Sequence, residues 1–353
     1  MRHWAMTQPR LDPWLICADD YPEDGYSSDQ LEFLLGYGIL APSNHNAQPW
    51  LFRLHVSEVD VIADRRRALR IIDPADRELT LSCGSVLFNL RVAAEYFGHQ
   101  CGIQILPQRD DPNLMARVHL GLKADTPAED VVLFHAIQQR RTSRHPFQPE
   151  PLPDECLAAL AGAAESEGAW LHLFTEESPR MEVADLVAEA DRIQWADRHF
   201  REEMSRWIRP RSDPALDGIP VHDLGIRDWL SFAGPLLVRT FDRGDGQAAR
   251  DRDIAMHSPV LAVLGTNADD CASWLAAGQA LEHVLLKAQS ENVTASFLSQ
   301  PVEIPALRAR LTEMTGRAGF AQVLLRLGCA PAVSPAPRRP LRAMVIQQSH
   351  SHG

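Results

Sequence analysis

The sequence has no CxxC pair: its six cysteines stand far apart at Cys17, Cys83, Cys101, Cys156, Cys271 and Cys329. That spacing gives neither a zinc cradle nor a disulfide framework, so reduced thiols and a cytoplasmic setting are the expectation. No stretch reaches the roughly 18 continuous apolar residues of a membrane span. Met1 to Asp20 is interrupted by Arg2, Arg10, Asp12 and two prolines, which speaks against a secretory leader. Positive charge is in deficit, with 35 Lys and Arg against 47 Asp and Glu and a formal net charge of −12. Nucleic acid and anionic membranes would repel such a chain, and neither is expected as a partner. GxSxG, the Walker sequence and GxGxxG after a strand are also missing, which removes the usual marks of hydrolases, nucleotide triphosphatases and Rossmann dehydrogenases. None of the 14 histidines forms HExxH, and His350 and His352 stand in a tail expected to be disordered, so no metal is expected.

At 353 residues, 45% apolar and 23% charged, the chain has the composition of a globular protein with two domains or a duplicated one. Ser28 to Leu40 reads as a helix with Leu31, Leu34 and Leu35 on one face, Ser28 as its cap and Pro42 beyond its end. Trp50 to Val56 and Val59 to Asp64 read as a hairpin. From Gly84 to Phe97, Val86, Leu87, Leu90, Ala93, Ala94 and Phe97 mark one buried helical face. An offset of 194 residues (278 − 84) lays that glycine and its apolar stripe on Gly278, Ala280, Leu281, Val284 and Ala288. Any two amphipathic helices share some of this grammar, but further strands at Arg117 to Leu122, Trp170 to Phe174, Val260 to Gly265 and Gln322 to Leu327 favour a duplication. The expected class is α+β, in two related halves at 1–127 and 128–353 that meet in the polar stretch Thr126 to Asp130. The second half carries a lid-like insertion at about 185–225, helical at first and then rich in proline and glycine, and an extended arm at 330–345. Trp195, Trp207 and Trp229 fit a core better than a site.

Two segments carry chemistry. Ala41-Pro42-Ser43-Asn44-His45-Asn46-Ala47-Gln48-Pro49-Trp50 is a tight polar turn that offers a hydroxyl and several amides, although a plain structured turn has the same composition. Arg140-Arg141-Thr142-Ser143-Arg144-His145-Pro146-Phe147 sets three guanidiniums and two hydroxyls at a helix end, a set suited to phosphate; a solvated basic face is the alternative.

The first string resembles the Ala-Pro-Ser-x-x-Asn-x-Gln-Pro-Trp signature of the nitroreductase superfamily. The arginine-rich string is similar to the Arg-Arg-Ser-x-Arg-x-Phe element that opens a nitroreductase domain, with Thr142 in place of the usual serine. Their order is inverted here, because the arginine element follows the loop by about a hundred residues. Each half then lacks what the other has. This arrangement resembles the Acg group of FMN-binding proteins, in which one chain mimics a nitroreductase dimer, and the likeness extends to Ser82-Cys83-Gly84, Asp217-Gly218-Ile219-Pro220 and Leu298-Ser299-Gln300-Pro301.

The resemblance implies a nitroreductase-like fold and one FMN per chain. Pro42, Ser43, Asn44 and Asn46 would line its ring. Arg140 and Thr142 would hold the phosphate side, Arg141 would add contacts, and Arg144 would sit near the pyrimidine edge. Leu298, Ser299 and Gln300 would pass the N5 edge, and Arg338 would return to the phosphate. NAD(P)H would donate hydride and a nitroaromatic or quinone-like small molecule would accept electrons, with no catalytic side chain required. The alternative is a flavin-sequestering protein whose lid covers the ring. The pseudo-dimer does not forbid a further homodimer.

Overall fold

The structure, a computed structural model, describes residues 12–210, 213–220 and 244–346. The first half opens with helix Ser27–Gly38, which buries Leu31, Phe33, Leu34, Leu35 and Tyr37. The expected Ser28 cap is not there: Tyr26 occupies the cap position, no side chain caps the helix, and Ser28 lies inside its first turn. Four strands follow, β1 (Trp50–Leu54), β2 (Glu58–Ala63), β3 (His99–Ile105) and β4 (Leu114–Lys123), all paired antiparallel in the order β1-β2-β4-β3.

The second half contains β5 (Trp170–Phe174), the two-residue strands β6 (Ile208–Arg209) and β7 (Ile219–Pro220), then β8 (Val260–Thr266), β9 (Thr294–Phe297) and β10 (Phe320–Gly328). Its main sheet is again antiparallel, in the order β5-β8-β10-β9. Both sheets thus run first-second-fourth-third along the chain. Between the second and third strand of each lies one 20-residue helix, Arg77–Tyr96 or Cys271–Ser290. The offset of 194 that aligns Gly84 with Gly278 also aligns both ends of these helices.

Those two helices pack on each other through the same glycines. A Cβ on Gly84 would lie 2.9 Å from the Gly278 Cα and 2.3 Å from the Leu275 carbonyl oxygen; one on Gly278 would lie 2.8 Å from the Gly84 Cα and 2.0 Å from the Leu81 oxygen. Only hydrogen side chains permit this approach. The main apolar core of the first half includes Leu275 and Leu286 from the second half's helix, and the second half's core takes in Leu81 from the first. The halves are therefore not independent layers.

Helices Glu177–Ala196 and Arg198–Trp207 carry the insertion. It is helical from position 177 to Trp207, and the described part of the proline-bearing stretch beyond has only the two-residue strands β6 and β7. Trp195, Phe200 and Ile208 form a small core with Leu69 and Ile72 of the first half. The Glu203 carboxylate accepts the Ile71 and Ile72 amides at 3.0 Å each. Residues 221–225 of the insertion, Trp229 and the tail 347–353 lie outside the described residues. The stretch from Ala330 to Pro340 has neither helix nor strand and leads into the short turn Leu341–Ala343. No helix among the described residues is long and apolar enough to cross a membrane.

Candidate functional site

The loop after helix Ser27–Gly38 turns so tightly that His45, Asn46 and Gln48 all have φ of 51–52°. Such left-handed backbone costs free energy for residues with a Cβ, so it persists only where other bonds enforce it. They do here. Ser43 Oγ accepts the Gln48 amide at 2.9 Å. The buried Gln48 side chain donates to the Leu216 carbonyl at 2.8 Å and accepts the Arg339 amide at 2.8 Å. Asn46 donates to the Pro337 carbonyl at 3.0 Å and accepts Arg338 Nη1 at 2.9 Å. Trp50 is fully buried at the far end. The loop is thus held between the insertion and the C-terminal arm, two parts of the second half.

Helix Ala128–Gln139 ends at Arg140, whose guanidinium is buried and donates to the Leu40 carbonyl at 3.3 Å. Arg338 comes to the same place, donating to the Leu40 and Ala41 carbonyls at 3.1 Å. Arg141 and Arg338 both lie against the Trp14 ring, at 4.3 and 5.0 Å. Burial and the neighbouring Arg140 bring the Arg338 guanidinium down to about 9. Facing both cations is Glu282, fully buried, 3.6 Å from Arg140 Nε. Burial lifts its carboxyl to about 7, against the pull of Arg140 and Arg338. Thr142 bridges to Ala295 beside β10, and Arg326 of that strand donates to the Ser143 carbonyl at 2.8 Å.

These segments converge on one cavity of about 720 Å³. Pro42, Ser43, Asn44, Asn46, Arg140, Arg141, Thr142, Arg144, Ser299 and Arg338 all line it. Leu298 and Gln300 do not. Leu298 is buried in the core of the second half, and its amide is taken by the Leu324 carbonyl at 3.0 Å, so it has no N–H to offer a ligand. Gln300 opens the short helix Gln300–Glu303 and faces a smaller neighbouring cavity.

Further lining residues lie outside the loop and arginine strings. Glu78 accepts from Arg77 at 2.9 Å and from Asn44, which also reaches Glu303 at 3.4 Å. Burial first, then the charge of Glu303, pushes the Glu78 carboxyl well above its ordinary range, and burial takes Glu303 to about 7. Trp14 and the stretch Ala332–Pro337 form another wall. Gly218 to Pro220 close a third side. That edge is latched by Asp217, which pairs with Arg67 and, at 2.7 Å, with Arg209, while the Gly218 amide reaches the Asn46 carbonyl at 3.4 Å. Arg326 and Asp191 do leave a trace in the sequence, each a lone charge on an otherwise apolar strand or helix face.

No family model matches the sequence. A Mycobacterium tuberculosis (strain H37Rv) protein named "Putative NAD(P)H nitroreductase Rv3131" is 30% identical over 333 residues, covering 90% of this chain and 91% of its own. The chain belongs to the nitroreductase family. Within that family it is also similar to acg of the same organism, 28% identical over 346 residues and covering 94% and 99% of the two chains. Among solved structures, the FMN and NADPH-dependent nitroreductase NfnB from a sphigopyxis strain aligns over 62% of this chain and 99% of its own, with 18% identity and a TM-score of 0.40. This nitroreductase-family chain is therefore matched almost end to end by the mycobacterial relatives.

Proposed function

We propose that this chain is an FMN-binding, NAD(P)H-dependent oxidoreductase that reduces small nitroaromatic or quinone-like acceptors by two electrons, with its two halves, 1–127 and 128–353, acting as the two subunits of a nitroreductase dimer. The observation that carries this reading is the convergence of the Pro42–Asn46 loop and the Arg140–Arg144 element, one from each half, on a single cavity. Its volume lies in the range of about 300–1,000 Å³ usual for cofactor sites.

The donor set suits a phosphate. Arg338 Nε is buried with no hydrogen-bond partner among the described residues, and Arg140 Nε, also without a hydrogen bond, has the ion pair to Glu282 at 3.6 Å. Charge-assisted donors of this kind are what a phosphate dianion requires. In this reading Arg140, Arg338, Arg141 and Thr142 hold the phosphate end, and the strained Pro42–Asn46 turn, Ser299 and Arg144 hold the ring. Bound there, the flavin supplies the hydride-transfer chemistry. The chain's part is to orient the ring by the rigid loop, stabilise negative charge through Arg144, and exclude water with Gly218–Pro220.

A second reading, a flavin-sequestering protein, is favoured by one feature: the insertion edge is latched over the cavity by Asp217, Arg67 and Arg209. One experiment addresses both. Titration of flavin-stripped protein with FMN should quench flavin fluorescence to an end point of one per chain, and NADPH should then be oxidised in the presence of a quinone. Binding without turnover selects the sequestering reading; no binding removes both.

A further inference from the structure

Two-electron reduction of a quinone takes up one hydride and one proton, and the proposed function leaves the source of the proton open. Among the described residues that line the main cavity, Glu78 is the one carboxyl, against the five arginines Arg140, Arg141, Arg144, Arg250 and Arg338. Arginine holds its protons too tightly to give one up. His45 also lines the cavity, but burial and then Arg144 bring its imidazole down to about 3, so it carries no acidic proton at neutral pH. His145, the other lining histidine, is exposed, whereas the Glu78 carboxyl is held on both oxygens. Arg77 Nη2 donates to its Oε1 at 2.9 Å and the Asn44 amide donates to its Oε2.

The same Asn44 nitrogen reaches Glu303 Oε1 at 3.4 Å, and Gln194 donates to Glu303 Oε2 at 2.5 Å. One amide of the loop assigned to the flavin ring thus holds two carboxyls together, and like charges so close oppose each other's ionisation. Burial, then Glu303, keeps the Glu78 carboxyl well above its ordinary range against the pull of Arg77 and Asn44, and Asp73 adds to the rise. Asp191 of helix Glu177–Ala196 feels the charge of Glu303 in turn. Arg77 and Asn44 are both N–H donors to Glu78, so the O–H of the acid form finds no acceptor in them and turns to a molecule in the cavity. We propose that Glu78 is the catalytic proton donor to the electron acceptor, with Asn44 and Glu303 as the residues that position its carboxyl. As hydride reaches a quinone, the Glu78 O–H bond breaks and an O–H bond forms on the acceptor oxygen; hydroquinone leaves, and water returns a proton to the Glu78 carboxylate. NAD(P)H supplies the electron pair, so each turnover draws one proton from solvent. This inference rests on the oxidoreductase reading and names the residue that completes its second half.

Anaerobic stopped-flow mixing of the NADPH-reduced holoprotein with 1,4-benzoquinone or with ferricyanide separates the proton from the electrons, because ferricyanide takes electrons only. Glu78→Gln should slow the quinone step about 100-fold more than the ferricyanide step, the low end of what a general acid contributes. In the unsubstituted chain the quinone rate should fall as rising pH ionises Glu78, and Glu303→Gln, which removes the facing negative charge, should move that fall to lower pH. Infrared difference spectra of the flavin-free chain at neutral pH should show one protonated-carboxyl band lost in Glu78→Gln. Equal slowing of both acceptors, no slowing of either, a quinone rate independent of pH, or an unchanged carboxyl band would overturn the proposal. If Glu78→Gln does not fold, the pH profiles of the unsubstituted chain and of Glu303→Gln decide the matter. FMN bound by the unsubstituted chain without electron transfer to either acceptor is a separate outcome, which removes the oxidoreductase reading itself and this inference with it.

Discussion

Replacing Gly278 with alanine should push the two halves apart. The new Cβ would lie 2.0 Å from the Leu81 carbonyl oxygen and 2.8 Å from the Gly84 Cα, both backbone atoms of a buried helix, whereas real Cβ atoms essentially never come within 3.0 Å. The helices Arg77–Tyr96 and Cys271–Ser290 must therefore separate by about 1 Å. Overpacking of this kind costs about 1–3 kcal/mol or more, offset by up to about 1 kcal/mol because alanine favours the helix and restricts the unfolded chain. For a chain of 353 residues, whose unfolding entropy at the midpoint is about 0.7 kcal/mol/K, a net loss of about 1–2 kcal/mol should lower the melting midpoint by roughly 1–3 °C. Glu78, Leu81, Ser82 and Ser85 on one helix and Leu281 on the other line the main cavity, so FMN affinity should fall with stability. Gly162→Ala is the control: it lies in helix Asp154–Ser166, nothing comes within 4 Å of an added Cβ, and stability should rise slightly. Thermal denaturation and FMN titration of both variants give the answer. If Gly278→Ala matched Gly162→Ala in both, the close glycine contact would be refuted.

Other outcomes follow from the same geometry. Arg140→Ala combined with Arg144→Ala should weaken FMN binding roughly 10²- to 10⁴-fold, since each hydrogen bond to a charged group contributes about 1.5–3 kcal/mol; equilibrium dialysis measures it, and unchanged flavin content would refute the site. Asp217→Ala removes the latch to Arg67 and Arg209 and should speed FMN release about fivefold, read from fluorescence recovery on dilution. The Glu282 carboxyl is raised from 4.5 to about 7 in the folded chain, so the folded state binds the proton more tightly. Its contribution to stability is complete below about pH 4.5 and lost as pH rises through about 7. Melting of flavin-free protein should show that decline, and Glu282→Gln should flatten it.

Much of the fold is legible in the sequence because its periodicities are strong. The stripe from Val86 to Phe97 and its echo after Gly278 identify the two central helices, and the shared glycine marks the place where they touch. The pattern fails at the helix start: Arg77, Glu78, Thr80 and Ser82 are buried yet polar, because this end lines the cavity and Arg77 spends its donors on the Gln322 and Val302 carbonyls. Strands β3 and β9 give weak signals because His99, Gln100, Gly102 and Gln104 dilute one and the other is four residues long. At the site, the Pro42–Asn46 turn and the arginine element announce themselves as strings. Trp14, Glu78 and the Ala332–Pro337 wall do not, since long-range packing alone brings them together. Leu298 misleads for a related reason: the string suggests an open loop, whereas pairing with Leu324 turns its amide inward.

The most direct test of the central claim is a visible absorption spectrum of the purified protein reconstituted with FMN, recorded before and after anaerobic addition of NADPH or NADH. Protein-bound flavin bands that bleach on addition, one flavin per chain, are the expected result. Protein that takes up no FMN, or bound flavin whose bands persist with both reductants, would contradict the assignment of this chain as a flavin-dependent oxidoreductase.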